Sequence, residues 1–238
     1  MKKEGYQYFI ESLLVIVSIL VAFSLENWNS QRKDKKEEII ILKSLQSEFQ
    51  ESRIRLDSII GSQNLTISHC RALLLAHENH EEINHDSITI MLYDGALAWH
   101  RFEPVTGAYD AIIGSGKLGL VQNSLLRKKI AEYYADIEPG FEDQEISMDL
   151  INLILQELGK DLFPLRGNQR FRQEVTGIGP FPGSVKENVE SVMSNDALFG
   201  LLYSKTVFEG YRLWYYRDWL SKIEELKSIL DNEIKRIE

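Results

Sequence analysis

An uncharged apolar run near the amino terminus places the strongest constraint on how this chain can fold. From Ser12 to Leu25 there is no charged residue, and most positions are Leu, Val, Ile, Phe or Ala. Tyr8 and Trp28 enclose the run, and a helix between them spans ~30 Å, about the thickness of the hydrocarbon core of a bilayer. The sequence that follows, "SLENWNSQ", has no small-x-small cleavage site. The run therefore indicates an uncleaved membrane anchor rather than a signal peptide.

The flanks of the run carry residues typical of a membrane interface, where aromatic rings and cationic side chains reach the headgroups. The candidates for this role are Tyr6, Tyr8, Trp28, Arg32 and Lys33. Cationic residues stand on both sides, at Lys2 and Lys3 before the run and in "RKDKK" after it. The positive-inside count favours a cytoplasmic domain only mildly, so it leaves the orientation open.

Glu11 lies about one helical turn inside the anchor. A carboxylate at that depth is costly unless it reaches the headgroups, is protonated or meets a partner. Two interpretations follow. The carboxylate is either held at headgroup level, or it contacts a partner helix or lines an ion pathway.

The remaining composition is that of an ordinary globular domain, with 44% hydrophobic and 26% charged residues among 238. The net charge of −9 argues against nucleic acid, because phosphate backbones are bound by basic surfaces. One cysteine, Cys70, excludes an intramolecular disulfide. We predict a transmembrane anchor in residues 1–30 and a soluble domain in residues 31–238.

The soluble part carries helical patterns at both ends, which predict an all-α fold. Apolar residues recur at heptad spacing after the anchor and again near the carboxy terminus, as in helices that pair. The first set is Leu42, Leu45, Phe49, Leu56 and Ile59; the second is Trp219, Ile223, Leu226, Leu230, Ile234 and Ile237. We expect a long helix continuous with the anchor to form an antiparallel stalk with a long carboxy-terminal helix. "DSITIMLY" is predicted as a helix, since no partner strand is evident, and "GIGPFPGSV" as a loop.

The segment "IIGSGKLGLVQ" resembles a phosphate-binding loop, but it lacks two of the required positions. Gly116 and Lys117 fit the Walker A pattern, whereas Ala111 replaces its first glycine and Leu118 its hydroxyl residue. A helix-ending turn accounts for the glycines. Gly114 or Gly116 can supply a left-handed residue, and Asn123 can cap a helix over "SLLRKKIAEYY". We therefore expect no nucleotide.

Two stretches, "ESLLVIVSILVAFSLENWNSQRKDKKEEIIILKSL" and "AYDAIIGSGKLGLVQNSLLRKKIAEYY", together resemble an uncharacterised family of single-pass bacterial membrane proteins common in Bacteroidota. The matching places are Glu11, Asn27, Trp28, Asn29, Tyr109, Gly116, Leu118, Leu120, Asn123, Leu126, Arg127, Tyr133 and Tyr134. The resemblance implies an inner-membrane protein with its amino terminus inside and its domain in the periplasm. It implies no activity.

Histidines form one metal-like group in "AHENHEEINHD". If this stretch were helical, His77, His80 and Glu81 would share a face and could hold zinc. The stretch reads equally as a solvated link between helices. We predict no metal and keep the three residues as weak candidates.

Aromatic residues crowd the segment "FEGYRLWYYRDWL". Phe208, Tyr211, Tyr215 and Trp219 follow steps of three and four residues, which predicts packing against the first long helix. The alternative is an aromatic surface that binds a partner.

These observations predict a non-enzymatic, membrane-anchored interaction or scaffold protein without a cofactor. It would associate with itself or accompany another membrane protein in the lipid bilayer. Two alternatives stay open: a single-pass subunit of an ion-driven or channel-like complex that uses Glu11, and a metal-dependent enzyme that uses His77 and His80.

Overall fold

The structure, a computed structural model, describes residues 2–137, 140–160 and 189–238, and the side chains among them except those of residues 2–12, 85, 140–141 and 160. Within these ranges every regular element is a helix. The all-α prediction is therefore confirmed. The predicted loop "GIGPFPGSV" lies outside the described residues.

Helix α1 runs from Lys2 to Glu78 without a break, because it contains no proline and its residues are mostly good helix formers. It ends in a Schellman turn. The amide of Glu81 donates to the carbonyl of Ala76, and the amide of His80 donates to the carbonyl of His77. His80 adopts a φ of 53° there, in the left-handed region where glycine is usual.

Six further α-helices follow within the described ranges. They are α2 (His85–Met91), α3 (Gly107–Gly114), α4 (Ser124–Ile137), α5 (Gly140–Lys160), α6 (Val189–Met193) and α7 (Asp196–Ile237). Asn123 caps α4 by accepting the amide of Leu126 at 3.0 Å, as predicted. Gly116 has a φ of 70° after α3, so it supplies the predicted left-handed residue.

The segment "DSITIMLY" is helical, which confirms its assignment. Its last residues enter a π-helical turn, Leu92–Ala96. Gly95 explains the tight packing there, because a Cβ at Gly95 would lie 2.8 Å from the Cβ of His69 on α1. Only a residue without a side chain allows the turn to approach the helix this closely.

The chain divides into two compact units, and α1 and α7 contribute to both. The first unit comprises Met1–Gln50, Val105–Lys129 and Leu226–Glu238, and the second comprises Glu51–Pro104 and Ile130–Glu225. In the first unit α1 and α7 run antiparallel, since Lys43 bonds Glu238 at 2.6 Å and Gln46 contacts Asp231. Its buried core contains Ile41, Leu42, Leu45, Phe49, Ile112, Val121, Leu126, Leu226, Leu230 and Ile234.

The second unit is also built on an antiparallel contact of α1 with α7, shown by the bond from Gln63 to Glu209. One of its hydrophobic clusters consists of Cys70, Leu73, Ile88, Leu92, Ala96, Ile154, Leu158, Val192, Leu198, Phe199 and Leu202. Trp219, Ile223 and Leu56 are also buried in this unit, as their spacing predicted. The predicted Ile59 and Ile237 are only partly buried.

Candidate functional site

The predicted anchor is fully exposed in the structure. Every side chain from Leu13 to Trp28 is exposed, and none of the most apolar window of α1, with a mean hydropathy of 1.5, is buried. Two serines of the run bond within the helix: the hydroxyl of Ser18 donates to the carbonyl of Leu14 at 2.7 Å, and that of Ser24 to the carbonyl of Leu20 at 2.8 Å. Such internal bonding suits a helix in lipid, where water cannot satisfy polar groups. This helix is long and apolar enough to cross a membrane.

The end of the run carries the predicted interface residues in exposed positions. Trp28 is 60% exposed, and the guanidinium of Arg32 lies 5.8 Å from the centre of its ring, within cation–π distance. Lys33 is exposed beside them. The side chains of Tyr6, Tyr8 and Glu11 lie outside the described ones, so their membrane roles stay predictions.

In the first unit, buried carboxylates of α1 accept hydrogen bonds from backbone amides between Ala108 and Gln122, the stretch that contains the predicted glycine turn. The buried carboxylate of Glu48 accepts the backbone amides of Ala108 and Tyr109 at the start of α3. A similar contact lies closer to the anchor, where the buried carboxylate of Glu38 accepts the backbone amide of Gln122 at 2.6 Å. A carboxylate at a helix amino terminus is favourable, because it satisfies amides that have no partner within their own helix.

The cation of the same segment is also engaged. Lys117 pairs with Glu37 of α1, and Arg127 donates to the carbonyl of Val121. Lys117, the cation that a phosphate-binding loop would present to a ligand, is therefore paired with a carboxylate of this chain. In the first unit, carboxylates of α1 take the place of an external anion and stabilise the packing of this unit.

A buried charge cluster lies at the centre of the second unit. Lys205, Glu209 and Arg212 of α7 have side chains that are at most 1% exposed. Glu209 accepts bonds from Lys205 at 2.5 Å, Arg212 at 2.8 Å and Ser147 of α5 at 2.5 Å, and Gln63 of α1 also donates to it. Three helices, α1, α5 and α7, therefore meet at one carboxylate.

The two cations extend this cluster to the segment after the π-helical turn. Lys205 donates to the carbonyl of Ala98 at 3.1 Å, and Arg212 donates to the carbonyl of His100 and to the hydroxyl of Tyr216. A buried charge network with nearly complete hydrogen bonding favours one specific packing arrangement over alternatives. We call Lys205, Glu209 and Arg212 the charge cluster.

Burial and the neighbouring cations act on Glu209 in opposite directions. Burial alone would raise the pKa of the Glu209 carboxyl, but the charges of Lys205 and Arg212 and the bonds from Lys205 and Ser147 outweigh it and lower that pKa. Glu209 is therefore ionised at neutral pH. Burial also raises the pKa of the nearby Cys70 thiol to about 11, so this thiol is poorly reactive.

The histidine candidates do not form the face that a continued helix would give them. His77 closes α1, stacks on Phe199 with ring centres 3.9 Å apart, and contacts the carbonyl of Met193 through Nδ1 at 2.7 Å. His80 lies in the turn beyond the helix, and Glu81 follows it. In the part of the chain that the structure describes, no three His, Cys, Asp or Glu side chains are grouped to hold a metal.

The predicted aromatic stripe is only partly buried, and its alternative role as a partner-binding surface stays a prediction. Trp219 is fully buried, whereas Tyr211 is 56% exposed and Phe208 and Tyr215 are partly exposed. The buried face of α7 instead passes through the charge cluster. Sequence reasoning missed that cluster, although its three- and four-residue spacing from Leu202 through Tyr216 was a usable signal.

The fold and these sites define an all-α protein in which one of the described helices, α1, is able to span a membrane. The chain belongs to the family of unknown function DUF6090, whose sequence model covers residues 11–138, slightly more than half of it. This range includes the apolar run and the glycine segment that α1 holds. No curated protein and no solved structure matches the chain.

Proposed function

We propose that this protein is a membrane-anchored, non-enzymatic interaction or scaffold protein. The observation that carries the proposal is the apolar run Leu13–Leu25, whose side chains are all exposed although the same helix buries Leu42 and Leu45 further on. An apolar surface of this size on a folded protein is covered by lipid or by other helices. A bilayer fits its length.

The polar groups of both units support a role in binding rather than catalysis. Glu38 and Glu48 cap backbone amides, and Glu209 is bonded on all sides within the charge cluster. These carboxylates stabilise the packing, because their oxygens accept hydrogen bonds from other parts of the chain. The exposed surfaces of both units are therefore helix surfaces. Such surfaces suit a protein that presents a helical domain to partners.

We assign the anchor to the bacterial inner membrane and the domain beyond it to the periplasm. The support is the resemblance of the anchor and glycine segment to single-pass bacterial proteins of that orientation. Native Cys70 cannot report the orientation, because it is fully buried. Exposed Ser228 can, once replaced by cysteine. Labelling of intact spheroplasts expressing Ser228→Cys by an impermeant maleimide is expected, and labelling only after lysis would reverse the assignment.

The anchor itself is tested by one charge placed within the run. Leu20→Asp puts a carboxylate near the centre of the span, where it costs about 3 kcal/mol. The matched control is Ile40→Asp, because Ile40 is equally exposed on the same helix but lies beyond the run. We expect the first variant to be extracted from membranes by alkaline carbonate and the control to remain. Equal behaviour of the two variants would remove the membrane assignment.

The interaction role is tested with the full chain in mild detergent. We expect affinity purification through a carboxy-terminal tag to recover a partner, or further copies of this chain, at a fixed stoichiometry by mass spectrometry. A chain that purifies alone as a monomer from native membranes contradicts the proposal. Recovery of an untagged copy from cells that express both forms would identify self-association directly.

A further inference from the structure

Helix α7 turns its charges inward and its aromatic residues outward between Gly200 and Tyr215. The charged residues in this stretch are Lys205, Glu209 and Arg212, and all three belong to the buried charge cluster. The outward side of four helical turns therefore carries no charge. This is the reverse of an ordinary solvated helix, whose exposed side is charged.

The outward residues follow a pairing pattern. Gly200, Tyr203, Val207, Gly210 and Trp214 are separated by three, four, three and four residues, the heptad spacing of a helix that packs against another helix. All five are exposed, Tyr203 and Trp214 each by 63%. A Cβ at Gly200 or Gly210 would meet nothing within 4 Å, so a second helix can approach closely at both. We call these five residues with Tyr211 the outer stripe.

Charge decides which occupant fits the outer stripe. The chain carries a net charge of −9, so two copies repel each other over most of their surfaces. A surface that meets its own copy must avoid like charges, and an uncharged stripe meets that condition. A basic partner would instead need exposed carboxylates along the stripe, and α7 exposes none between Gly200 and Tyr215.

The area of the outer stripe is consistent with a tethered dimer. With about 200 Å² for a whole aromatic side chain, the exposed fractions of Tyr203, Tyr211 and Trp214 leave roughly 350 Å² of ring surface on each copy. Leu75 of α1 is 55% exposed and adds to the apolar face; with Tyr203 and Val207 it lines a groove of about 540 Å³ whose lining also includes Arg71, Glu78 and Asp196. Two such faces together approach the ~1,000 Å² that specific interfaces bury. Anchoring in one membrane raises the effective concentration and reduces the area required.

We propose that the outer stripe of α7 is a homodimer interface, in which the stripe of one copy packs against that of a second. The inference rests on the proposed membrane-anchored interaction role and names its partner. Val207 lies at the centre of the stripe, so it meets its own counterpart whether the two helices run parallel or antiparallel. The charge cluster supports the interface by holding the charged side chains of α7 inside the unit.

The test is disulfide cross-linking of full-length protein in native membranes. Val207→Cys is expected to form a covalent dimer under mild oxidation. The control Ile54→Cys lies on α1 in the same unit and is more exposed, at 53% against 39%, so it measures random collision. Buried Cys70, with its raised pKa of about 11, contributes little background. Dimer yield at Val207 no higher than at Ile54 would overturn the proposal.

A second variant confirms the same interface without a thiol. Val207→Glu places like charges at the centre of the stripe, and we expect it to convert a dimer to a monomer in light scattering of the detergent-solubilised chain. Unchanged helix content by circular dichroism would exclude unfolding. If the chain dimerises but neither variant acts as expected, this interface is wrong and the interaction role stands. If wild type purifies alone as a monomer, the interaction role fails as well.

Discussion

Substitution of Glu209 by glutamine tests the charge cluster most directly. The change removes the carboxylate that Lys205 and Arg212 share, and it places amide hydrogens among donors that need an acceptor. Both cations stay buried, with 0% of each side chain exposed. Removing one partner from a buried ion pair costs about 3–5 kcal/mol, because the remaining charge is neither solvated nor paired.

The size of this effect is set against a surface pair in the same unit. Glu224 lies 3.4 Å from Arg53 with 57% of its side chain exposed, and such pairs contribute about 0–1 kcal/mol. Glu224→Gln is therefore the matched control for the same chemical change. For a chain of this length, 3–5 kcal/mol corresponds to a fall of about 10 °C in the midpoint of thermal unfolding.

Thermal unfolding of both variants in mild detergent, followed by far-ultraviolet circular dichroism, measures the difference. Hydrogen exchange of peptides from α7 locates it, since loss of the cluster should increase opening around Lys205 to Tyr216. The double variant Lys205→Met with Glu209→Gln should recover part of the loss, because one unpaired charge is then removed. The reasoning is refuted if Glu209→Gln and Glu224→Gln destabilise the protein equally.

Further predictions concern pH and three backbone positions. The folded-state pKa of Glu209 is lowered, so its ionised carboxylate contributes to the free energy of unfolding above the ordinary pKa of 4.5. This contribution is lost as pH falls through the folded-state pKa. The unfolding free energies of wild type and Glu209→Gln should therefore converge in acid. In urea titrations, Gly95→Ala should lower the free energy of unfolding by about 1–3 kcal/mol, because the added methyl group overpacks against α1. Gly61→Ala, at an open position of α1, should be neutral or stabilising. His80→Gly should raise stability by up to ~1 kcal/mol in the same titrations, since it relieves the left-handed residue of the Schellman turn. Gly116→Ala should lower stability by about 1 kcal/mol, because alanine is strained at the left-handed φ of this position. A loss for His80→Gly, or no loss for Gly116→Ala, would contradict the assigned backbone.

The heptad patterns of α1 and α7 were readable from sequence because hydrophobic spacing is a local property. Leu42, Leu45 and Phe49 are all fully buried, and so are Trp219 and Ile223. In the middle of α7, Tyr211 was expected to pack because an aromatic ring resembles a core residue, and the buried charged residues gave no composition signal because charged residues are usually solvated. Spacing alone, without composition, gives the observed face: positions 202, 205, 209, 212 and 216 alternate by three and four.

Other features depended on tertiary contacts and had no local signal. Glu48 caps a helix that begins about 60 residues later, and nothing near it in sequence indicates that partner. The same holds for the bond from Gln63 to Glu209, which are 146 residues apart. The turns were predictable where a residue type determines the backbone, as at Gly116 and Asn123. His80 was not, because only a few per cent of non-glycine residues adopt a positive φ, so residue type alone did not single it out.

The first unit is assembled from three separate parts of the chain, which affects how it folds. Its core draws Leu42 and Phe49 from α1, Ile112 from α3, and Leu226 and Leu230 from the end of α7. Its contacts therefore close long stretches of chain, 185 residues in the case of Gln46 and Asp231, and topologies dominated by distant contacts fold slowly. Residues 11–138, which carry the family likeness, lack the α7 segment and cannot fold independently into this unit. An excised version would leave the apolar side of α1 beyond the anchor uncovered and prone to aggregation.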